Sequence, residues 1–387
     1  MPRKSNIWAL ASVVLITILL RPPVAAIGPI LTNLESSLGI NQSQAGLLAS
    51  LPVLCFGFGA FAGPWLVKRF GLTNGFTLIL VVILTTLVLR VWFGFVPLLL
   101  LTLVLALAIA VSNVLFPTLI RAEFPTRIAG MTALYTALLA LFASVAASAS
   151  VPLLKATGDW RLALIVWAIP ALLALVVWYL NTKTNKLTSE PEVAVTTSDR
   201  HVWVHPITWS LVGFFGFQSL NFYAVLNWLP AILQSKGFDQ TSAGALLGLT
   251  TIVGIPTGLA VTANLKRFKS LSALVFSISV ITALGLGLLA FSGAVAIAGC
   301  VLAGIGLASS FPISLALVAM KANTKDQTTL LSAVVQGFGY LVAALGTYCI
   351  GITFELTGGW LLGVVTLTVI AVAQAFIGLF AGSERRL

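Results

Sequence analysis

The chain has 387 residues, 59% of them hydrophobic and only 8% charged, with a formal net charge of +11 and a mean hydropathy of +1.08. A soluble domain is about 45–50% apolar and about 25% charged, so a water-soluble enzyme or binding module is excluded and the bilayer is the main solvent. The basic residues are spread in twos and threes, which fits anionic lipid headgroups rather than nucleic acid.

At about 20 apolar residues per crossing, the sequence predicts an all-α integral membrane protein with twelve transmembrane helices. They cover 7–33, 43–67, 73–92, 97–120, 128–154, 161–181, 206–233, 241–264, 271–291, 294–319, 328–354 and 360–381. With Met1 on the cytoplasmic side, sixteen Lys and Arg residues fall on inner loops and ends, and four (Arg90, Lys155, Arg161, Lys236) fall outside. That asymmetry obeys the positive-inside rule and places both termini in the cytoplasm.

The first span opens after Arg3 and Lys4. Val24-Ala25-Ala26 resembles a signal-peptidase site, but Arg21-Pro22-Pro23 would lie between the apolar run and the cut, so the segment reads as retained. Arg21 is the one basic residue in the interior of a predicted span, Arg90 and Arg161 lying at outer span ends, and no Asp or Glu falls inside any of the spans. A cation at the bilayer centre costs about 2.5–3.5 kcal/mol on insertion scales and reads as functional by default. Pro22 and Pro23 remove two backbone donors directly after it. Such irregular backbone is tolerated only in contact with protein or a water-filled cavity, which points Arg21 into a central cavity. There its guanidinium offers a fork of donors to a small anion; the rival role is to bond helix carbonyls freed by the kink.

The second span echoes the eighth. At an offset of 198, Ala45-Gly46, Leu48, Leu51, Ala62 and Lys68-Arg69-Phe70 recur as Ala243-Gly244, Leu246, Leu249, Ala260 and Lys266-Arg267-Phe268. Phe116-Pro117 in the fourth span is echoed by Phe311-Pro312 in the tenth. Gly57, Gly59 and Gly63, and Ala143, Ala146 and Ala147 in the fifth span, allow close helix approach. Asn113 in the fourth span is either a ligand or interhelical glue.

The polar stretch from Asn181 to His205 has linker composition and holds both histidines, read as solvated rather than metal-binding. The chain thus divides into a six-helix bundle at 1–181, a cytoplasmic linker at 182–205 and a second six-helix bundle at 206–387. Two parallel halves with a site between them near the membrane midplane describe the major facilitator architecture. The seventh span then supplies Gln218, Ser219, Asn221, Tyr223 and Asn227. Gln218, Asn221 and Phe222 share one face, where the two amides can offer neutral hydrogen bonds opposite Arg21, with Phe222 or Tyr223 closing on the solute. Interhelical bonding is the alternative. Gln336 and Tyr340, four apart in the eleventh span, face one direction. Trp8, Trp65, Trp92, Trp160, Trp203, Trp209 and Trp360 lie near span ends, as an interfacial belt requires. Cys55, Cys300 and Cys349 show no pairing or metal-ligand spacing.

Several runs carry a more specific likeness: Leu20-Arg21-Pro22-Pro23 with Gly28-Pro29, and Gln44-Ala45-Gly46-Leu47-Leu48 with Leu51-Pro52. Ser112-Asn113-Val114-Leu115-Phe116-Pro117 continues to Arg121 and Phe124-Pro125. Asn227-Trp228-Leu229-Pro230-Ala231-Ile232-Leu233 follows, then Gln336-Gly337-Phe338-Gly339-Tyr340 with Leu341-Val342-Ala343-Ala344. In order and spacing the chain resembles the cyanate and 2-nitroimidazole transporter family of the major facilitators. That resemblance implies a small compact solute, of the weak-acid, anionic or nitro-aromatic kind. The chain departs from the general facilitator loop signature, with Pro64 for a glycine and Lys68 for an aspartate, and Thr347 stands where the family has proline.

The expected function is alternating-access transport of a small organic or inorganic anion across the cytoplasmic membrane. The solute contacts would be Arg21, Asn113, Gln218, Asn221, Phe222, Tyr223, Gln336 and Tyr340, with no metal and no cofactor. The expected partners are an anionic small molecule and membrane lipids, no nucleic acid, and the protein a monomer. The alternative is export of neutral or amphipathic drugs, with Arg21 structural. Enzymatic chemistry is not expected, because the spans lack carboxylates and histidines.

Overall fold

The computed structural model describes residues 7–124, 127–184, 200–268, 270–323 and 325–384. The first span is one apolar stretch, Ile7–Leu38, built from α1 (Ile7–Leu20), α2 (Pro22–Ala25), a 3-10 turn at Gly28–Ile30 and α3 (Leu31–Leu38). The break follows from the proline pair. Arg21 leaves helical geometry at φ −121°, Ala25 N–H returns to the Arg21 carbonyl, and Ile27 N–H bonds Val24 rather than Pro23. The Pro23 carbonyl is thereby released from the ladder. This stretch runs past the predicted end at 33, so Glu35 sits on α3 rather than beyond the span.

Gly39, at φ +64°, stops α3, and Asn41 with Gln44 forms a capping box that starts α4 (Gln42–Leu89). The Asn41 side chain accepts from Gln44 N–H while Gln44 reaches back to Asn41 N–H, satisfying two otherwise orphaned donors. The second and third spans are joined by one residue rather than a loop. Gly71, at φ +74° and ψ +166°, turns the backbone between two helical arms, a conformation that suits glycine.

The remaining rods are α5 (Phe95–Glu123), α6 (Ile128–Thr157), α7 (Trp160–Ile165) continuing into α8 (Ala168–Thr184), and the short α9 (Arg200–Val204). Then come α10 (Pro206–Ser235), α11 (Gln240–Ala263), α12 (Leu271–Leu288), α13 (Ala294–Lys321), α14 (Lys325–Thr357) and α15 (Leu361–Ala381). Among the described residues, ten stretches are long and apolar enough to cross a membrane. The first arm of α4 and the 30-residue α10 also have spanning length; Gln218, Asn221 and Asn227 dilute the hydropathy of α10. With them, the described residues form twelve rods and no strand.

Small residues set the contacts. A Cβ on Gly59 would lie 2.5 Å from Ala110 of α5, and one on Gly57 would lie 3.0 Å from the Gly337 carbonyl of α14. Ala146 and Ala147 of α6 are fully buried, and α6 packs on α11. Among the described residues, helices of the N-terminal half therefore touch helices of the C-terminal half chiefly along α4 on α14 and α6 on α11.

Trp8, Trp65, Trp92, Trp203 and Trp209 are exposed as a belt requires, whereas Trp160 and Trp360 are buried. Trp360 packs on Phe354 and Trp228 with centroid separations of 4.5 and 5.1 Å, and the Arg161 guanidinium covers Trp160 at 4.9 Å. The span end there folds back against protein. Most of the linker, residues 185–199, lies outside the described residues, as does the His201 side chain. His205 has a local role: its Nδ1 accepts from Ile207 N–H at 3.3 Å and caps α10. All three cysteines are unpaired, Cys55 and Cys300 buried and Cys349 exposed.

Candidate functional site

A cavity of about 560 Å³ lies between α6, α10, α11 and α13, with Arg21 reaching in from the break of the first span. Arg21 is half-buried, since it is deep in the protein yet accessible from the cavity. Its Nη1 donates to Tyr223 Oη at 2.7 Å, and its guanidinium lies 5.5 Å from the Phe222 ring centroid and 5.7 Å from that of Tyr223. Both distances fall within cation–π range. Among the described residues no carboxylate lies within ion-pair distance of Arg21; the salt bridge found there joins Arg161 and Asp159 at 3.4 Å.

The carbonyl freed at the kink meets a different arginine. Arg90, read from sequence as an outer-loop residue, is fully buried and donates from Nη2 to the released Pro23 carbonyl at 3.5 Å. Its Nε and Nη1 have no hydrogen-bond partner among the described residues. The charge pattern could not reveal this, because it sorts loops by side of the membrane and cannot see a side chain folding inward.

Of the other sequence candidates, Gln218, Phe222 and Tyr223 line the cavity with Arg21. Gln218 Nε2 donates to Ser219 Oγ at 2.5 Å, and Ser219 lines it too. Asn221 lies outside the lining: it is fully buried, with neither end of its amide hydrogen-bonded among the described residues. Asn113 accepts from Tyr135 Oη at 2.9 Å, and Gln336 donates to Ser332 at 2.7 Å. Tyr340 forms a second layer behind Tyr223, with ring centroids 6.4 Å apart, and also packs on Phe56 at 5.5 Å and Phe215 at 5.0 Å. The structure therefore brings four of the eight candidates to one wall and sets Tyr340 behind it. Thr136, Thr250, Thr251 and Phe311 are lining residues that sequence reading missed. Of these, Phe311 carried a signal in the Phe-Pro echo.

The end of the molecule away from the termini is sealed across the two halves. Gly28 meets the backbone of Leu226 and Asn227 so closely that a Cβ would overlap the Leu226 carbonyl oxygen. Asn227 Nδ2 donates to the Ala49 carbonyl at 3.1 Å, Ser144 Oγ to the Gly248 carbonyl at 2.8 Å, and Gln240 to the Pro29 carbonyl at 3.1 Å and to Asn33 Oδ1. Ser43 bonds Glu355, and Lys155 Nζ donates to Thr241 Oγ1 at 2.6 Å. Gly46 and Gly244, partners in the internal echo, occupy matching places in this seal, one on the Trp228 ring and the other on the Ala147 carbonyl. Toward the terminal end the cavity is lined by α6 from Thr136 to Ala143 and by α11 from Thr250 to Leu259, and it is not fully enclosed.

The family model for the Major Facilitator Superfamily matches residues 13–347. The chain belongs to this superfamily. As a major facilitator it is a multi-pass membrane transporter and not an enzyme. It is 30% identical to an uncharacterized transporter, YycB, of Bacillus subtilis (strain 168), over 98% of this chain and 94% of that protein. It is 29% identical to the 2-nitroimidazole transporter of Escherichia coli (strain K12), over 99% and 98% of the two chains. It is 26% identical to the cyanate transport protein CynX of the same strain, over 90% of each. The fold superimposes on the crystal structure of a D-xylose-proton symporter with TM-score 0.79 at 15% identity, covering 99% of this chain and 100% of that one. A bacterial homologue of the lysosomal transporter Spinster, solved inward-facing and unoccupied, gives TM-score 0.78 at 16% identity, covering 99% and 98%. The fold expected from sequence, and the likeness to the cyanate and nitroimidazole transporters, are both borne out.

Proposed function

We propose that this facilitator moves a small organic or inorganic anion or weak acid, cyanate-like or nitroimidazole-like, across the cytoplasmic membrane by alternating access. The observation that carries the reading is Arg21: a cavity-facing guanidinium whose hydrogen-bond partner is a neutral phenol and which has no carboxylate within reach among the described residues. A permanent cation at that depth is favourable only when a negative charge arrives to meet it. The names of two relatives, a 2-nitroimidazole transporter and a cyanate transport protein, agree with a compact solute. Phe222 and Tyr223 beside the guanidinium suit a flat, delocalised one.

The divisions at 1–181, 182–205 and 206–387, with both termini cytoplasmic, belong to this proposal; the sealed end then faces outward and the structure is inward-open. A monomer surrounded by lipid suffices, because the cavity is complete within one chain. Export of neutral amphipathic compounds is the second reading, favoured by the mostly apolar walls such as Leu307, Phe311 and Leu315.

The deciding comparison is Arg21→Lys against Arg21→Gln, read by thermal shift and equilibrium binding with cyanate, formate, nitrate and 2-nitroimidazole. Arg21→Lys keeps charge and should keep weak binding, whereas Arg21→Gln loses both charge and fork. Losing one side of a desolvated charge pair costs about 2–5 kcal/mol, roughly 30- to several-thousand-fold in affinity. A folded Arg21→Gln protein that transports normally would end the anion reading and promote the neutral-drug one.

A further inference from the structure

Alternating access carries the site through a state closed at both ends. In this molecule closure at the far end is made by backbone against backbone, Gly28 on Leu226, with Asn227 bonded to the Ala49 carbonyl beside it. Once α6 and α11 also close at the terminal end, Arg21 is cut off from bulk water. It is the one charged side chain among the described residues lining the cavity, so the Tyr223 hydroxyl and two ring faces meet it there but no negative charge neutralises it. A guanidinium does not shed its proton in a protein, so it has no neutral form in which to cross. Gln218, Ser219, Thr250 and Thr251 can solvate but carry no charge.

The closed state is therefore asymmetric in energy. Empty, it holds a desolvated and unpaired cation; with an anion bound, it holds a hydrogen-bonded neutral pair. We infer, resting on the anion reading above, that this protein is an exchanger: it changes sides at a useful rate only with an anion on Arg21. Each monoanion carried one way is then matched by a monoanion carried back, with no net charge moved.

The test uses purified protein in liposomes loaded with radiolabelled cyanate, with membrane potential clamped by potassium and valinomycin. Binding of cyanate is established beforehand by thermal shift. Efflux into medium holding only gluconate should be at least tenfold slower than efflux into medium holding saturating cyanate, and the exchange rate should not respond to the clamped potential. Arg21→Lys adds a second reading, because a buried amine can lose its proton where a guanidinium cannot. In that variant, efflux without external anion should approach exchange as pH rises, while wild-type efflux stays slow. Wild-type protein that binds cyanate yet empties equally fast into gluconate overturns the exchange inference and leaves the anion reading standing. Protein that binds none of cyanate, formate and nitrate overturns the anion reading and exchange with it.

Discussion

Arg21 and Arg90 are both deep in the protein, and their surroundings separate their roles. Arg21 meets a phenol, two ring faces and open space; Arg90 meets a released carbonyl and nothing else among the described residues. Tyr223 holds the Arg21 fork in place, so Tyr223→Phe should weaken anion binding by about 0.5–1.5 kcal/mol, the net worth of an ordinary hydrogen bond. Isothermal titration would read this as a roughly 2- to 13-fold rise in Kd, and an unchanged Kd would show that Tyr223 does not orient the fork. Arg90 weighs a long hydrogen bond against a buried cation with two unused donors. Replacing a whole buried ion pair by apolar side chains of similar volume is commonly neutral or stabilising by about 1–4 kcal/mol, and a buried cation with no counter-charge has less attraction to lose. Arg90→Met should accordingly leave the melting temperature of the detergent-solubilised protein unchanged or raised. A drop of several degrees would mean that the Pro23 carbonyl depends on that bond.

At the scale of elements, the first span does two jobs on either side of one break. Before Pro22 it delivers Arg21 to the cavity; after it, Gly28 and Pro29 press on α10 and α11 to close the far end. Gly28→Ala puts a methyl group where the Leu226 carbonyl oxygen sits, so the seal should loosen while the cavity wall stays intact. The measurement is labelling of Ala49→Cys, a buried position in the seal, in protein whose native cysteines are replaced by serine. Impermeant maleimide added from the far side should react several-fold faster in the Gly28→Ala background, and equal rates would show that this contact does not hold the end shut. The break itself was legible from sequence, because two adjacent missing N–H groups are a covalent fact no packing can reverse. The far-end seal was not, since it depends on which turn of α10 meets which turn of the first span. Periodicity on α10 reached half as far. It placed Gln218 and Phe222 correctly on one face, but Asn221 is offset from Gln218 by about 60° around the helix, enough to turn it out of the cavity lining. Tyr340 shows the same limit, for a residue can point toward the centre and still stand one side chain behind the surface.

Across the whole molecule, hydropathy and charge asymmetry predicted twelve crossings, and the described residues form twelve rods, including the polar α10 that composition alone does not single out. Length explains why α10 still qualifies: its 30 residues extend about 45 Å at 1.5 Å per residue, more than the roughly 30 Å hydrocarbon core. Its polar groups are buried against protein and the cavity, as the bilayer demands. Span ends were read less well, because Trp160, Trp360 and Arg90 pack inward although their positions in sequence look interfacial. Sidedness rests on the positive-inside asymmetry, and an even number of rods requires both chain ends to share one side. Cysteine introduced at Ser36, beside the sealed end, should therefore react with impermeant reagent added to intact cells. Cysteine at Ser198, in the linker outside the described residues, should react only after permeabilisation. Reaction at both positions from outside would break the parity of the rods, and with it the assignment of the open cavity to the cytoplasm.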